Sequence, residues 1–67
     1  MNWELYEVWG ICDDDSEKLI ETTKSLKEAR SIAKVNIDDD TSDVVECIIY
    51  REDENGDLVE IDTVSAG

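Results

Sequence analysis

The sequence predicts a two-layer α+β domain in the order ββαββ, with one helix packed on a four-stranded antiparallel sheet. Ser25 and Glu28 have the Ser-x-x-Glu spacing of a capping box, which marks the start of a helix. Asn55 and Gly56 lie between two runs rich in β-branched residues, which is typical of a β-hairpin. With 67 residues the chain is expected to form one small domain, residues 1–67.

The first strand is predicted at residues 3–11, where polar and apolar residues alternate. One of its two faces carries Glu4, Tyr6 and Val8. The other face is interrupted by Glu7 and carries Trp3, Leu5, Trp9 and Ile11. Either face could point inward. We expect the tryptophan face to do so because two indoles bury the most area, with a bulge near Glu7.

A polar turn at residues 12–17 and a short strand at 18–22 complete the first hairpin. The helix is expected to follow Ser25 and to end near Val35 to Ile37. At about 100° per residue, its apolar positions fall on one arc. These are Leu26, Ala29, Ile32, Ala33 and Ile37. An adjacent arc is basic and carries Lys24, Lys27, Arg30 and Lys34.

The second hairpin joins strands predicted at residues 44–51 and 57–64, and two registers are possible. A two-residue loop would place Ile48 and Tyr50 beside Val59 and Ile61. A three-residue loop with a bulge is preferred because its inner face contains no acid. That face would hold Val45, Cys47, Ile49, Val59, Ile61 and Thr63. The outer face would then hold Glu46, Ile48, Tyr50, Glu52, Leu58, Glu60 and Asp62.

Charge is the most informative property of the chain, whose net charge is −13. All but one of its acids lie outside residues 24–35, the basic segment. Repulsion of this size costs stability, so we expect the charge to serve a basic partner. The apolar runs are too short for a membrane span, and the first residues do not resemble a signal peptide. We therefore expect a cytoplasmic protein, with Cys12 and Cys47 reduced and in or near the core.

The residues give little support for catalysis or for a bound metal. The chain has no histidine, the commonest general base, and no glycine-rich phosphate loop. Residues 51–62 partly match a calcium-binding loop, but Arg51 would occupy the first ligand position. The acidic triplets at residues 13–15 and 38–40 lack the spacing of a metal cage. We expect a non-enzymatic protein without a cofactor or a specific metal site.

The acids of the outer sheet face suggest a partner. Alternate strand residues project about 6.5–7 Å apart, a spacing similar to that of adjacent phosphates in a nucleic-acid strand. We therefore expect an inhibitor of the DNA-mimic type that binds a basic nucleic-acid-binding protein, and no direct binding of nucleic acid. The expected partner-binding residues are Tyr6, Asp38, Asp39, Asp40, Glu46, Ile48, Tyr50, Glu52, Glu60 and Asp62.

In size, charge and chain plan the sequence resembles small phage-encoded inhibitors. These include anti-restriction proteins, anti-CRISPR proteins and inhibitors of uracil-DNA glycosylase. No motif of one such family is identified, so no residue role is carried over. Two alternatives stay open. One is an interaction module that uses a sheet edge or forms a homodimer, and the other is a weakly calcium-responsive acidic protein. The chain is expected to be a monomer or a weak homodimer.

Overall fold

The computed structural model describes residues 5–65 and confirms the α+β class, with one helix on a four-stranded antiparallel sheet. The strand order is β2-β1-β3-β4, so β2 and β4 form the two edges. The elements are β1 (Tyr6–Cys12), β2 (Glu17–Thr23), α1 (Leu26–Asp38), β3 (Val44–Glu52) and β4 (Leu58–Ser65). Helix α1 has 13 residues, and no helix in the described part of the chain is long and apolar enough to cross a membrane.

Helix α1 begins at the predicted cap. The Ser25 side chain accepts a hydrogen bond from Glu28 N at 3.3 Å. The Glu28 carboxylate accepts a hydrogen bond from the hydroxyl of Thr23, which is buried. The helix then packs on the sheet through the fully buried Ala29 and Ala33, whose small side chains allow a close approach. The predicted apolar arc is therefore confirmed.

The prediction for the inner face of β1 was wrong. Val8 is fully buried, and Tyr6 and Cys12 pack against the core, so the tyrosine face points toward the helix. Trp9 lies between two inward positions and faces the opposite side. The placement of Tyr6 on the outer face is corrected in the same way. Trp3, the other indole of the expected inner face, lies outside the described residues.

Gly10 gives the physical reason for this orientation. It lies on the inner face between Val8 and Cys12 and is buried. A Cβ atom at this position would lie 2.8 Å from Ile20 Cδ1 and 3.1 Å from Val44 Cγ2. The side chains of Ile20 and Val44 therefore pack directly against the backbone of Gly10 on the helix side of β1. Close packing of this kind is a common reason for a glycine inside a strand.

Three bulges set the faces of the other strands. No bulge occurs at Glu7; the extra residues are Ile20 in β2, Val45 in β3 and Ile61 in β4. Each extra residue shifts the alternation of its strand by one position. Val45, which was expected inside, is consequently 46% exposed.

The three-residue loop of the second hairpin is confirmed next to the turn. Glu52 pairs with Leu58, and Asp53 N donates to Asp57 O at 2.8 Å. Gly56 has a φ of 86°, the left-handed conformation that such a loop requires. Beyond the bulge the register changes, so Ile49 pairs with Asp62 rather than with Ile61.

This change of register corrects two further predictions. Asp62 was expected on the outer face, but it lies on the helix side and accepts a 2.7 Å hydrogen bond from Arg30 Nε. Thr63, which was expected inside, faces outward.

The core is thin. Its buried members are Val8, Ala29, Ala33, Val44, Cys47 and Ile49. Both cysteines are free, and the register pairs Cys47 with Gly10 rather than with Cys12. Burial raises the pKa of the Cys47 thiol, and the nearby charge of Glu46 adds to this effect. Both cysteines therefore act as the small core residues that the sequence predicted.

Candidate functional site

The side of the sheet opposite α1 is the candidate site, and we call it the open face. The register and the alternation of the strands define its members. They are Glu7, Trp9, Ile11, Glu17, Leu19, Thr22, Glu46, Ile48, Tyr50, Glu52, Leu58, Glu60, Thr63 and Ser65. Within residues 5–65 the helix packs on the other side, so no described element covers this face.

An apolar row crosses the middle of the open face. Trp9 of β1 pairs with Leu19 on one side and with Ile48 on the other. Paired side chains on one face have Cβ atoms about 4.5–5.5 Å apart, so the three side chains can touch. Leu19 is 48% exposed, and Trp9 and Ile48 are partly exposed. The row is therefore an apolar strip that a partner could cover.

Two acidic rows flank the apolar row. One contains Glu17 and Glu46 with Ile11 between them. The other contains Glu7 and Glu60 on either side of Tyr50. The two rows are four residues apart along the strands, which corresponds to roughly 13 Å. The apolar row is thus bordered by carboxylates on both sides.

A hydrogen bond links the apolar row to one acidic row. Trp9 Nε1 donates to Glu7 Oε1 at 2.9 Å. This bond satisfies the indole N–H and restricts the rotation of the ring on the open face. The bond also holds the Glu7 carboxylate beside the aromatic surface.

The basic residues all lie away from the open face. Lys27, Arg30 and Lys34 are on the helix, and Lys24 precedes it. Lys18 pairs with Gly10 and Arg51 pairs with Tyr6, so both have positions on the helix side of the sheet. The Arg51 guanidinium lies 5.4 Å from the centre of the Tyr6 ring. The open face therefore carries five glutamates and no cation, which gives the domain two sides of different charge.

The two loops that carry the aspartate triplets come together at one end of the sheet, which we call the acidic end. The β1–β2 turn and the α1–β3 loop come together there, where Asp13 N donates to Asp43 O at 3.1 Å. The acidic row that contains Glu17 and Glu46 is the row of the open face nearest to this end. The acidic end consists of Asp13, Asp14, Asp15, Asp38, Asp39, Asp40 and Asp43.

Some acids of the acidic end have local structural roles. Asp14 Oδ1 accepts hydrogen bonds from the N and Oγ atoms of Ser16, at 3.0 and 2.6 Å. Asp39 Oδ1 accepts equivalent bonds from Thr41, at 2.9 and 2.7 Å. These bonds lower the pKa of both carboxyl groups. Asp15 has a φ of 70°, which aspartate tolerates better than most residues.

Asp38 and Asp40 have no such explanation. Asp38 is the last residue of α1, and Asp39 is its C-cap. The C-terminal end of a helix is its negative pole, where an acid is unfavourable, and the last turn holds no basic residue. This local cost is consistent with a role for the acidic end outside the fold.

The structure brings together most of the predicted site. Glu46, Ile48, Tyr50, Glu52 and Glu60 share the open face. The aspartates of residues 38–40 lie at the acidic end. Tyr6 and Asp62 are on the other side of the sheet.

Sequence reasoning missed the part of the open face that β1 and β2 supply. The missed residues are Glu7, Trp9, Ile11, Glu17 and Leu19. Gly10 was the available signal, because a glycine inside a strand often marks close packing and would have placed Trp9 outward. The carboxylates also do not form a continuous row with the spacing of nucleic-acid phosphates. Within β3, Glu46 and Glu52 are six residues apart, and apolar residues lie between them.

No group of three or more His, Cys, Asp or Glu side chains in residues 5–65 is arranged to hold a metal ion. Comparisons of the chain with protein-family models, with curated proteins and with solved structures find no match. The open face and the acidic end are therefore the features of the described residues that bear on function.

Proposed function

We propose that this chain is a non-enzymatic, cytoplasmic inhibitor that binds the basic nucleic-acid-binding surface of a partner protein. In this proposal the open face occupies that surface and excludes the nucleic acid. The observation that supports it best is the separation of charge, with five glutamates and no cation on the open face and all six cations elsewhere.

The two kinds of row on the open face have different tasks in this proposal. Carboxylates attract a basic surface over several ångströms and raise the association rate, especially at low salt. Charge at the rim adds little affinity by itself, so a stable complex needs a desolvated centre. Trp9, Leu19 and Ile48 supply that centre, because tryptophan is among the residues that contribute most at interfaces.

We propose that the acidic end also takes part, and the limited size of the sheet supports this. Four strands about 4.8 Å apart and about seven residues long cover roughly 19 by 23 Å in projection. This projected area is roughly 440 Å²; the accessible area of the side chains on it is larger, and a stable interface buries about 800 Å² of accessible surface on each partner. The acidic end borders the open face and is also negatively charged. It therefore enlarges the acidic surface that a partner could contact.

Pairing through a sheet edge is a weaker explanation. Both edge strands contain a bulge, at Ile20 in β2 and at Ile61 in β4. Bulges interrupt the flat ladder of backbone groups that an added strand needs. A homodimer through the open face would bring ten glutamates together, which repulsion disfavours.

Capture from a cell lysate, followed by two kinds of elution, tests the proposal. The immobilised protein is expected to retain nucleic-acid-binding proteins that leave as the salt concentration rises. The same proteins are expected to leave when short duplex DNA or RNA is added at constant ionic strength. If neither DNA nor RNA releases the retained proteins, the chain does not occupy their nucleic-acid-binding surface, and the proposal is contradicted.

Two variants of equal net charge identify the face that is used. Glu46→Gln with Glu60→Gln removes two charges from the open face. Glu21→Gln with Asp57→Asn removes two charges from the helix side of β2 and from the hairpin loop. Capture is expected to fall for the first pair and to persist for the second. Equal losses would mean that only total charge matters.

A further inference from the structure

A groove lies at the hairpin end of the domain, on the helix side of β3 and β4. Its volume is about 370 Å³. Val59 and Ile61 provide apolar walls and are 45% and 41% exposed, because the helix leaves them uncovered. The lining is completed by Arg51, Glu52, Asp53 and Glu54. We call this the hairpin groove.

We propose that the hairpin groove is a binding site for one arginine side chain of a partner protein. An arginine has a three-carbon stem that covers apolar surface and a charged head that stays near carboxylates. Val59 and Ile61 match the stem, and Glu52, Asp53 and Glu54 match the head. The groove thus combines exposed apolar walls with charges that complement a single cationic side chain.

The carboxylates of the groove are held in different ways. Asp53 Oδ1 accepts hydrogen bonds from Asn55 N and Asp57 N, each at 2.9 Å, which fixes Asp53 in the turn. Glu54 is exposed in the loop and can move toward a bound cation. A fixed charge and a mobile one together allow a guanidinium to be held in the groove with little rearrangement.

Arg51 adds a positive charge to the groove but does not cancel its acidity. Its guanidinium lies over the Tyr6 ring, 5.4 Å from the ring centre. With three carboxylates and one guanidinium, the lining keeps a formal charge of −2. A second guanidinium is favoured over an ammonium because it is more weakly hydrated and lies flat against other groups.

The hairpin groove shares only Glu52 with the open face and its apolar walls lie on the helix side, so this proposal stands without the proposed function. It is tested by NMR titration of the full chain with N-acetyl-arginine amide. N-acetyl-citrulline amide, which has the same shape and no charge, is the control. The methyl signals of Val59 and Ile61 are expected to shift and to saturate with a dissociation constant of roughly 1–10 mM.

The signal of the Trp9 indole N–H on the open face reports non-specific binding. It is expected to stay in place during the arginine titration. Shifts spread over all acidic parts of the protein would mean that the cation acts only as a counterion. Equal shifts with the citrulline compound would mean that the guanidinium is not recognised. Either result would overturn the proposal.

Two pairs of variants locate the site. Val59 and Leu58 are adjacent and almost equally exposed, at 45% and 46%, but only Val59 lines the groove. Val59→Thr is expected to weaken arginine binding at least about threefold, and Leu58→Thr to leave it unchanged. Glu54→Gln is expected to weaken it about two- to threefold, and Glu60→Gln to have no effect. Equal effects within each pair would place the binding elsewhere.

Discussion

Replacing Gly10 with alanine tests which face of β1 points toward the helix, and therefore where the open face lies. In an ordinary strand position this change should stabilise the protein by about 0.5–1 kcal/mol, because glycine loses more backbone freedom on folding. Gly10 is buried, however, and an added Cβ would lie 2.8 Å from Ile20 Cδ1. Backbone entropy therefore predicts that the variant is stabilised, whereas packing predicts that it is destabilised.

The contacts around Gly10 determine the expected magnitude. Besides Ile20 Cδ1, a Cβ would meet Val44 Cγ2 and Cγ1 at 3.1 and 3.2 Å. Overpacking of this kind typically costs about 1–3 kcal/mol. A 67-residue domain is expected to have a total stability of only about 3–10 kcal/mol. Gly10→Ala should therefore remove a substantial part of the free energy of unfolding.

A double-mutant cycle with Ile20→Val tests the cause. Valine lacks the Cδ1 atom that an alanine side chain at position 10 would meet, so it should relieve part of the clash. Ile20→Val alone is expected to cost about 0.5–1.5 kcal/mol. The double variant should cost less than the sum of the two, with the Val44 contacts preventing full recovery.

Urea unfolding followed by far-ultraviolet circular dichroism measures all four members of the cycle. A stabilised or unchanged Gly10→Ala variant would refute the assignment of the faces. A destabilised variant whose cost is simply additive with that of Ile20→Val would leave the orientation possible. It would nevertheless refute the packing contact that explains it.

Three further predictions concern charge. Asp38→Asn should stabilise the protein by about 0.3–1 kcal/mol, because it removes an acid from the negative end of the helix. The control variant Asp57→Asn should stabilise it by a smaller amount. A lower urea midpoint for Asp38→Asn would contradict this prediction. Raising NaCl from about 10 to 150 mM shortens the Debye length from about 30 to 8 Å and so screens the repulsion between the acids. The melting temperature should therefore rise. An unchanged melting temperature would mean that this repulsion is weak. Stability measured against pH should rise as the net charge of −13 shrinks below pH 7, and then fall below about pH 4. There Asp14, Asp39 and Asp62, whose pKa values are lowered in the folded state, lose their stabilising bonds; a steady decline from pH 7 downward would contradict the prediction.

The local sequence signals were sufficient for the chain plan. Ser25 caps the helix because its side chain can accept the N–H of Glu28 wherever the helix packs. The Asn55–Gly56 pair sets the hairpin loop because Gly56 adopts a positive φ at no steric cost. Both signals act over a few neighbouring residues, so they could be interpreted without knowledge of the rest of the fold.

The faces of the strands could not be predicted in the same way. Both faces of β1 are apolar enough to point inward, and the choice depends on how closely Ile20 and Val44 approach Gly10. The bulge residue Ile61 then reverses the alternation within β4, which moves Asp62 to the helix side. These are contacts between distant parts of the chain, and one shifted residue moves every later side chain to the other face.

The candidate site was predicted in part for the same reason. The acids of β3 were placed on the correct face of the sheet because the alternation in β3 is regular after Val45. The contribution of β1 and β2 depended on the orientation of Trp9, which composition alone could not determine. The open face is consequently more apolar at its centre than the sequence suggested.

The most direct test of the proposed function is an NMR map of the bound surface. A captured nucleic-acid-binding protein would be added, without nucleic acid, to the isotopically labelled chain. We predict that the indole N–H of Trp9 and the amides around Ile48 and Tyr50 broaden or shift, and that the helix signals do not. Perturbation centred on Lys27, Arg30 and Lys34 would contradict the proposal, because the partner would then bind the basic side of the domain.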